Sequence, residues 1–348
     1  MAPLHAGILI PTFNRVDYLR TSLASAMAQT YPHLEIIVID NGSEDGTAGY
    51  MSSIADGRVR YVVNPENIGV SRSINRGIGL FSDRVSWCTV LCDDDLIATD
   101  YVRVVLSRVE SAAARSIVDS RRVFIGERGD RLRTARPAPP AVSALDYIRS
   151  RTWFARETYL TGVFFNRGAF NDIGGYPCFT TGAATDDAFI FALSLRDKLH
   201  YAPDATVYIR IHGQAESRRA SEAIRHLYAT AEFESYVMGM AERHPGVAPR
   251  DLLKLKQQLQ VYVAMTNDIL WNARVAGLTA EGHIRGNGDI DEMIALAGAR
   301  GFAFTARTRA NAFLLRTAGL FLETFLPYRL FWRGVKFLQI LSLRPPAS

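Results

Sequence analysis

Cysteine is scarce in this chain of 348 residues: only Cys88, Cys92 and Cys178 occur. An odd count without the paired spacing of a zinc site argues against a disulfide framework and against structural zinc, leaving free thiols. Long apolar runs are absent too, since no stretch reaches the ~20 residues that span a bilayer. Residues 1–7 lack the charged segment and apolar core of a secretory leader. Acid is nearly missing from one end. From Arg300 onward there are eight Lys/Arg and one acid, Glu323, a local +7 against +5 for the whole chain. The remainder is therefore net acidic, and the basic character belongs to the tail. That asymmetry points the tail at an anionic surface and gives the body no reason to bind nucleic acid. With 48% hydrophobic and 22% charged residues, a packed core is expected and disorder is excluded.

What is present is an alternation of strand and helix signals over the first ~215 residues. Apolar runs at 8–10, 35–40, 59–63 and 87–92 read as strands, followed later by 161–166 and 206–211. Asn14 is placed to cap a helix carrying Val16, Leu19, Leu23 and Met27, and Asn67-Ile68-Gly69 opens another that runs to about Phe81. Such β-α-β repetition predicts an α/β fold with a mainly parallel sheet and helices on both faces. Residues 126–143, rich in Gly, Arg, Pro and Ala, read as a surface loop. From about Glu216 the pattern becomes helical, with candidates at 217–242, 250–275, 289–299 and 306–343, the last broken at Pro327. The expected division is 1–215, a ligand-binding α/β domain, and 216–348, a helical region.

Ligands of parallel sheets bind beyond the carboxyl ends of strands. Pro11-Thr12, Asp40 and Asp93-Asp94-Asp95 all fall at such ends. Three adjacent carboxylates repel one another, and a hard divalent cation, Mg²⁺ or Mn²⁺, held against a diphosphate relieves that repulsion. A helix cap would account for one acid, not three. Asp40 reads either as a hydrogen-bond acceptor for a base or ribose, or as the first residue of an Asx turn. Asn67 and Gly69 could present amides to phosphate or close a capping turn. Arg72 and Arg76, one turn apart, could meet phosphate or form surface pairs. Asp186-Asp187 open an apolar helix, either as a favourable first turn or as a general base. His212, after the strand at 206–211, is a metal or phosphate ligand or a structural histidine. In the tail, Arg329, Arg333 and Lys336 share one helix face while Leu330, Phe331, Val335, Leu338 and Leu341 occupy much of the other, with Tyr328 and Trp332 suited to an interface. That is the pattern of a helix lying on an anionic bilayer.

Together these segments resemble the family 2 glycosyltransferases of GT-A fold. The resemblance rests on residues 8–15, 36–43, 64–69, 93–101, 174–177 and 185–187, in that order, and covers about 5–215. It implies a GT-A fold, a Rossmann-like mixed sheet, and a nucleotide-sugar donor, UDP first, held by Pro11, Thr12, Asn14, Asp40, Asn67, Gly69, Asp93 and Asp94. It also implies Mn²⁺ or Mg²⁺ on Asp95, with Asp93 and His212. Gly174-Gly175 would help form the acceptor side, and Asp187 would be the base of an acidic pair with Asp186. Two departures stand out: the pair is Asp-Asp where relatives carry Glu-Asp, and Cys92 stands where many carry another acid.

The expectation is an inverting glycosyltransferase of bacterial polysaccharide or lipopolysaccharide assembly, acting on a glycan or lipid-linked acceptor. It would sit in the cytoplasm, peripheral on the inner face of the membrane, with the tail helices able to pair into an oligomer. The rivals are a catalytically silent sugar-nucleotide binder and a sugar nucleotidyltransferase. The second would show a Gly-rich basic loop where this chain has Pro11-Thr12-Phe13-Asn14.

Overall fold

The computed structural model describes residues 3–280, apart from 111–115, 153–155, 158, 183 and 213–222. The candidate helices at 289–299 and 306–343 lie outside the described residues. Two compact units are present, Met1–Val263 and Ala264–Ser348, and the site residues all lie in the first.

The first unit is built on one mixed sheet. Its early strands are β1 (His5–Thr12), β2 (Leu34–Asp40), β3 (Val59–Val63) and β4 (Val85–Val90). After them come β5 (Leu96–Ile97), β6 (Ile117–Ile125), β7 (Arg131–Thr134), β8 (Ala141–Val142), β9 (Val163–Asn166) and β10 (Leu199–Arg210). The order is β3-β2-β1-β4-β9-β6-β10-β5, with β7 on β6 and β8 on β10. The long ladders, β1 with β2 and β4, β2 with β3, and β6 with β10, are parallel. Antiparallel pairing is confined to short ladders at β5, β7, β8 and β9. The expected α/β sheet is thus present, with β9 running against its two neighbours.

Alternate residues of the inner strands enter opposite cores, as the two-residue period of a strand dictates. Leu9, Ile37, Ile39, Cys88 and Val90 face one core, and Ile8, Ile10, Ile36, Val38 and Leu91 face the other. The helices α1 (Val16–Met27) and α4 (Tyr101–Glu110) cover the second face, with Leu19, Leu23, Val102 and Val105. The first is covered by α3 (Val70–Gly79), α5 (Ala144–Thr152), α6 (Arg167–Asp172) and α7 (Thr185–Arg196). Two later helices, α8 (Ala223–Arg243) and α9 (Pro249–Ala280), add Phe233, Val237, Leu255, Leu259 and Tyr262 to that same core. The first unit therefore runs past the 215/216 boundary expected from the change in sequence pattern.

Three local expectations are corrected. The segment 126–143 is not all loop, because its two short edge strands, β7 and β8, find partners on β6 and β10. Asn14 does not cap α1. Its φ is +52°, and its Oδ1 accepts from Glu44 N at 2.8 Å instead. The first helical amide, Val16 N, donates to Asp45 Oδ2 at 2.7 Å, so a carboxylate from the loop before α2 (Thr47–Ser52) takes the capping role. The β1–α1 and β2–α2 loops are thereby stapled together. Finally, β6 was unforeseen: its sequence carries Asp119, Arg121 and Arg122, and charges interrupt the apolar run.

Candidate active site

The site forms where β1, β2 and β4 end. Parallel register sets Thr12 beside Asp40 at one edge, and Leu91 N bonds Leu9 O as the chain leaves β4. A turn closed by Asp95 N donating to Cys92 O then presents the three carboxylates in different directions. Asp93 faces a cleft of about 240 Å³ lined by Pro11, Thr12, Arg15, Asn41, Asn67 and Gly69, among others. Thr12 Oγ1 donates to Asp93 Oδ2 at 2.8 Å. Arg15 Nη1 spans Asp93 Oδ1 at 3.3 Å and Asp94 Oδ2 at 3.0 Å. His212 Nε2 approaches the same Asp94 oxygen to 3.0 Å, while Asp95 Oδ1 accepts Arg210 N at 2.9 Å.

Among the residues expected to hold the donor, Asp40 lies behind the cleft wall. Its Oδ1 accepts Ser43 N and Ser43 Oγ, and its Oδ2 accepts the Tyr61 hydroxyl. It is an anchored Asx-turn residue, and its neighbour Asn41 lines the cleft. Asn67 Oδ1 accepts Gly69 N at 2.9 Å, the capping turn into α3 that also brings both residues to the cleft. Gly69 has a φ of +82°. Of the two α3 arginines, Arg76 is held by Asn64 and Val63 O, whereas Arg72 is exposed.

The second acid group stands on the first turn of α7. Asp187 is 3% exposed and its carboxylate is caged. Oδ1 accepts from the Tyr147 hydroxyl and from Arg151 Nε at 2.8 Å, and Oδ2 from the Tyr262 hydroxyl at 2.7 Å. Asp186 is less buried; it accepts from Leu160 N at 3.0 Å and from the Tyr176 hydroxyl. Tyr176 is itself placed by Gly174-Gly175 and by Asn75, whose side chain bonds both its N–H and its carbonyl. Two consecutive residues tie the acid segments together: Leu160 N holds Asp186, and Thr161 Oγ1 accepts Cys92 N at the start of the turn that carries Asp93, Asp94 and Asp95. The two groups therefore share one end of the sheet.

Burial and mutual repulsion set the charges. Burial, then Asp94, raises Asp93 from 3.8 to about 6, against the pull of Arg15 and Thr12. Asp95 rises to about 8 for the same first two reasons, against Thr161 and Arg210 N. Burial likewise raises Asp186, opposed by Tyr176. The Cys92 thiol is pushed well above its ordinary value by burial and by Asp95 and Asp94.

These residues fit a divalent cation. Ligand atoms of Cys92, Asp94 and Asp95 lie within 4.8 Å of one another. A protonated thiol is a poor partner for Mg²⁺ or Mn²⁺, so the carboxylates are the fitting donors, with His212 beside Asp94. The buried Nδ1 of His212 has no hydrogen-bond partner among the described residues. Of the residues expected to hold a metal, Asp95 lies in this group with Asp94, His212 Nε2 stands 3.0 Å from Asp94 Oδ2, and Asp93 lines the cleft. Arg15, Tyr147, Arg151, Thr161 and Tyr262 were not foreseen. Only Arg15 carried a signal, since it directly follows Pro11-Thr12-Phe13-Asn14.

Residues 7–174 match the family described as glycosyl transferase family 2. The chain is similar to the succinoglycan biosynthesis protein ExoO of Rhizobium meliloti, 32% identical over 112 residues, which are 32% of each chain. It is also similar to glycosyltransferase GlyA of Streptococcus pneumoniae, 32% identical over 104 residues, 29% of this chain and 14% of that one. The match thus spans a third or less of these relatives' length. Among solved structures, S. aureus TarS 1-349 in complex with UDP-GlcNAc is similar at a TM-score of 0.51 and 15% identity, over 77% of this chain and 84% of that one. The mannosyltransferase PcManGT of Pyrobaculum calidifontis, in complex with GDP-Man and Mn²⁺, reaches 0.52 at 17% identity, over 88% and 82%. At such identities the likeness shows a shared fold.

Proposed function

Because residues 7–174 belong to glycosyl transferase family 2 and the sheet has the GT-A fold, we propose that the protein is a metal-dependent inverting glycosyltransferase. It moves a sugar from a nucleoside-diphosphate sugar, UDP first, to a hydroxyl of a glycan or lipid-linked acceptor in cell-surface polysaccharide assembly. The observation that carries this reading is that two consecutive residues touch both acid segments: Leu160 N donates to Asp186, and Thr161 Oγ1 accepts from Cys92 N, the residue before Asp93. An inverting transfer needs both: negative charge to hold a cation at the diphosphate, and a carboxylate for the acceptor proton.

In this mechanism Thr12, Asn41, Asn67 and Gly69 wall the nucleotide cleft. Asp94 and Asp95, with His212 beside them, would hold Mn²⁺ or Mg²⁺, and the bound cation would supply positive charge at the departing diphosphate. The acceptor hydroxyl yields its proton to the 186–187 pair. Asp187 acts as the base when the acceptor replaces one of the donors on its carboxylate, such as Tyr262 on Oδ2. Asp186, held by Tyr176 and Leu160, orients that turn. General-base catalysis of this kind contributes roughly 10²–10⁴-fold.

The succinoglycan relative and the sugar-nucleotide complexes of the two solved neighbours support this choice of substrates. For location, the support is the basic, amphipathic tail sequence, which would bring the enzyme to the inner membrane face as a peripheral protein. Among the described residues no helix is long and apolar enough to cross a membrane. The test is release of free nucleoside diphosphate on incubation with UDP-, dTDP- and GDP-sugars and Mn²⁺. Donor-dependent release is expected. Thermal stabilisation by a donor with no release of diphosphate would mark a silent binder and overturn the proposal.

A further inference from the structure

The cation already inside the carboxylate cluster is Arg15. It is the residue before α1, and its backbone is fixed by the staples at Asn14 and Val16. Its side chain lines the nucleotide cleft and is 22% exposed, so the guanidinium can move where the backbone cannot. It bridges Asp93 and Asp94, and on Asp94 it takes the oxygen that His212 also approaches. The other nearby arginine is committed elsewhere. Arg210 gives its side-chain N–H groups to the carbonyls of Asp94, Gly126 and Glu127. A guanidinium cannot shed its proton, so it answers an incoming dication by moving.

Resting on the metal-dependent reading above, we propose that Arg15 is a built-in counter-ion that yields Asp94 to the divalent cation and turns to the donor's diphosphate. It thereby couples metal and donor binding. Before loading, Arg15 offsets the repulsion between Asp93 and Asp94. A metal ion on the Asp94 oxygen takes that carboxylate from Arg15 and adds like charge beside it. The guanidinium, still beside Asp93, can then turn within the same cleft, where two phosphates offer an anion in the forked geometry that arginine prefers. Metal alone binds against the repulsion of Arg15; metal with nucleotide does not.

The test is calorimetric Mn²⁺ binding to the full chain, with and without UDP, in wild type, Arg15→Gln and Arg15→Lys. In wild type UDP should strengthen Mn²⁺ binding by about fivefold or more, within the usual range of site coupling. Arg15→Gln should bind Mn²⁺ alone more tightly than wild type and show a smaller UDP effect, the remainder coming from direct attraction between cation and diphosphate. Arg15→Lys should keep part of the coupling. Equal or weaker Mn²⁺ binding by Arg15→Gln, with an unchanged melting curve and circular dichroism spectrum, overturns the proposal. So does a UDP effect of undiminished size after the substitution. If neither wild type nor Arg15→Gln binds Mn²⁺ even with UDP, the metal-dependent reading itself has failed. That outcome is distinct from a failure of Arg15 alone.

Discussion

Replacing Asp187 by alanine is the obvious test of a catalytic base, and its cage makes that test double. The substitution takes the acceptor from Arg151 Nε and from the hydroxyls of Tyr147 and Tyr262. Removing one partner of a buried ion pair costs ~3–5 kcal/mol, because the surviving charge stays desolvated. Arg151 keeps a bond to Arg156 O and its side chain is 19% exposed, which favours the lower end of that range. Two hydroxyls losing a partner add about 1 kcal/mol each in isolation, less when they share one site. A total of about 4 kcal/mol corresponds to a fall of roughly 8–16 °C in Tm for a unit of this size. Asp187→Ala should therefore lose turnover and stability together. Asp187→Asn keeps the shape and one acceptor oxygen, so it separates the two effects. Its Tm should fall by less than half as much while turnover falls at least ~10²-fold. The assays are a thermal melt with urea titration, and release of nucleoside diphosphate in the presence of acceptor. A melt of Asp187→Ala within 2 °C of wild type (below the roughly 2–4 °C expected per kcal/mol) would refute the cage. Full turnover by Asp187→Asn would remove Asp187 as base.

Four further outcomes follow from the same geometry. Asp93 and Asp95 bind protons more tightly folded than unfolded, so without metal the folded chain carries the extra protons between about pH 4 and 8. Their stabilising contribution is complete below the ordinary carboxylate value and lost as pH rises through about 6 and about 8. In EDTA the unfolding midpoint should fall across that window, and excess Mn²⁺ should abolish the fall; a flat or rising midpoint in EDTA contradicts the charge assignment. Asp119 is the shared partner of the buried Arg122 and Arg156, so Asp119→Ala should cost ~3–5 kcal/mol by urea unfolding, and a loss under 1 kcal/mol would show that the arginines find other relief. Gly175 has a φ of +90°, and an added Cβ would lie 2.5 Å from Asn75 Oδ1. Gly175→Ala should therefore cost ~1–3 kcal/mol and displace Tyr176 from Asp186, read as lower turnover with donor binding retained, and unaltered turnover would argue against that link. Truncation after residue 312 should abolish co-sedimentation with anionic liposomes if the basic tail is the anchor; a truncated chain that still sediments would place the contact elsewhere.

The inner sheet was legible because its strands are buried on both faces and need no charge. Ile8 to Ile10 and Ile36 to Ile39 are apolar without interruption, and their ends are marked by Pro11-Thr12 and Asp40. The strand β6 was hidden for the opposite reason. Asp119 and Arg122 sit in the middle of the sheet, tolerable only because each meets the other and Arg156 arrives from a segment more than thirty residues away. No local pattern encodes that pairing. The capping of α1 failed in the same way: Asn14 looked sufficient beside Val16, yet Asp45, two loops distant in sequence, takes the amide.

The acids of the site were visible and their partners were not. Three aspartates after an apolar run stand out in the sequence, so their place at the end of β4 could be read there. Which oxygen faces which neighbour depends on the turn between Cys92 and Asp95, and that turn put Asp94, not Asp93, against His212. Asp187 shows the limit more sharply. Its donors come from α5 and α9, helices whose periodicity announces burial but not the hydroxyl or guanidinium that each extends. Tyr262 belongs to a helix in the stretch where the motifs of the sheet had ended. The acid expected to take a proton is thus held by residues outside every recognisable motif, and the strength of that hold decides whether it is a base on its own or only once an acceptor displaces Tyr262.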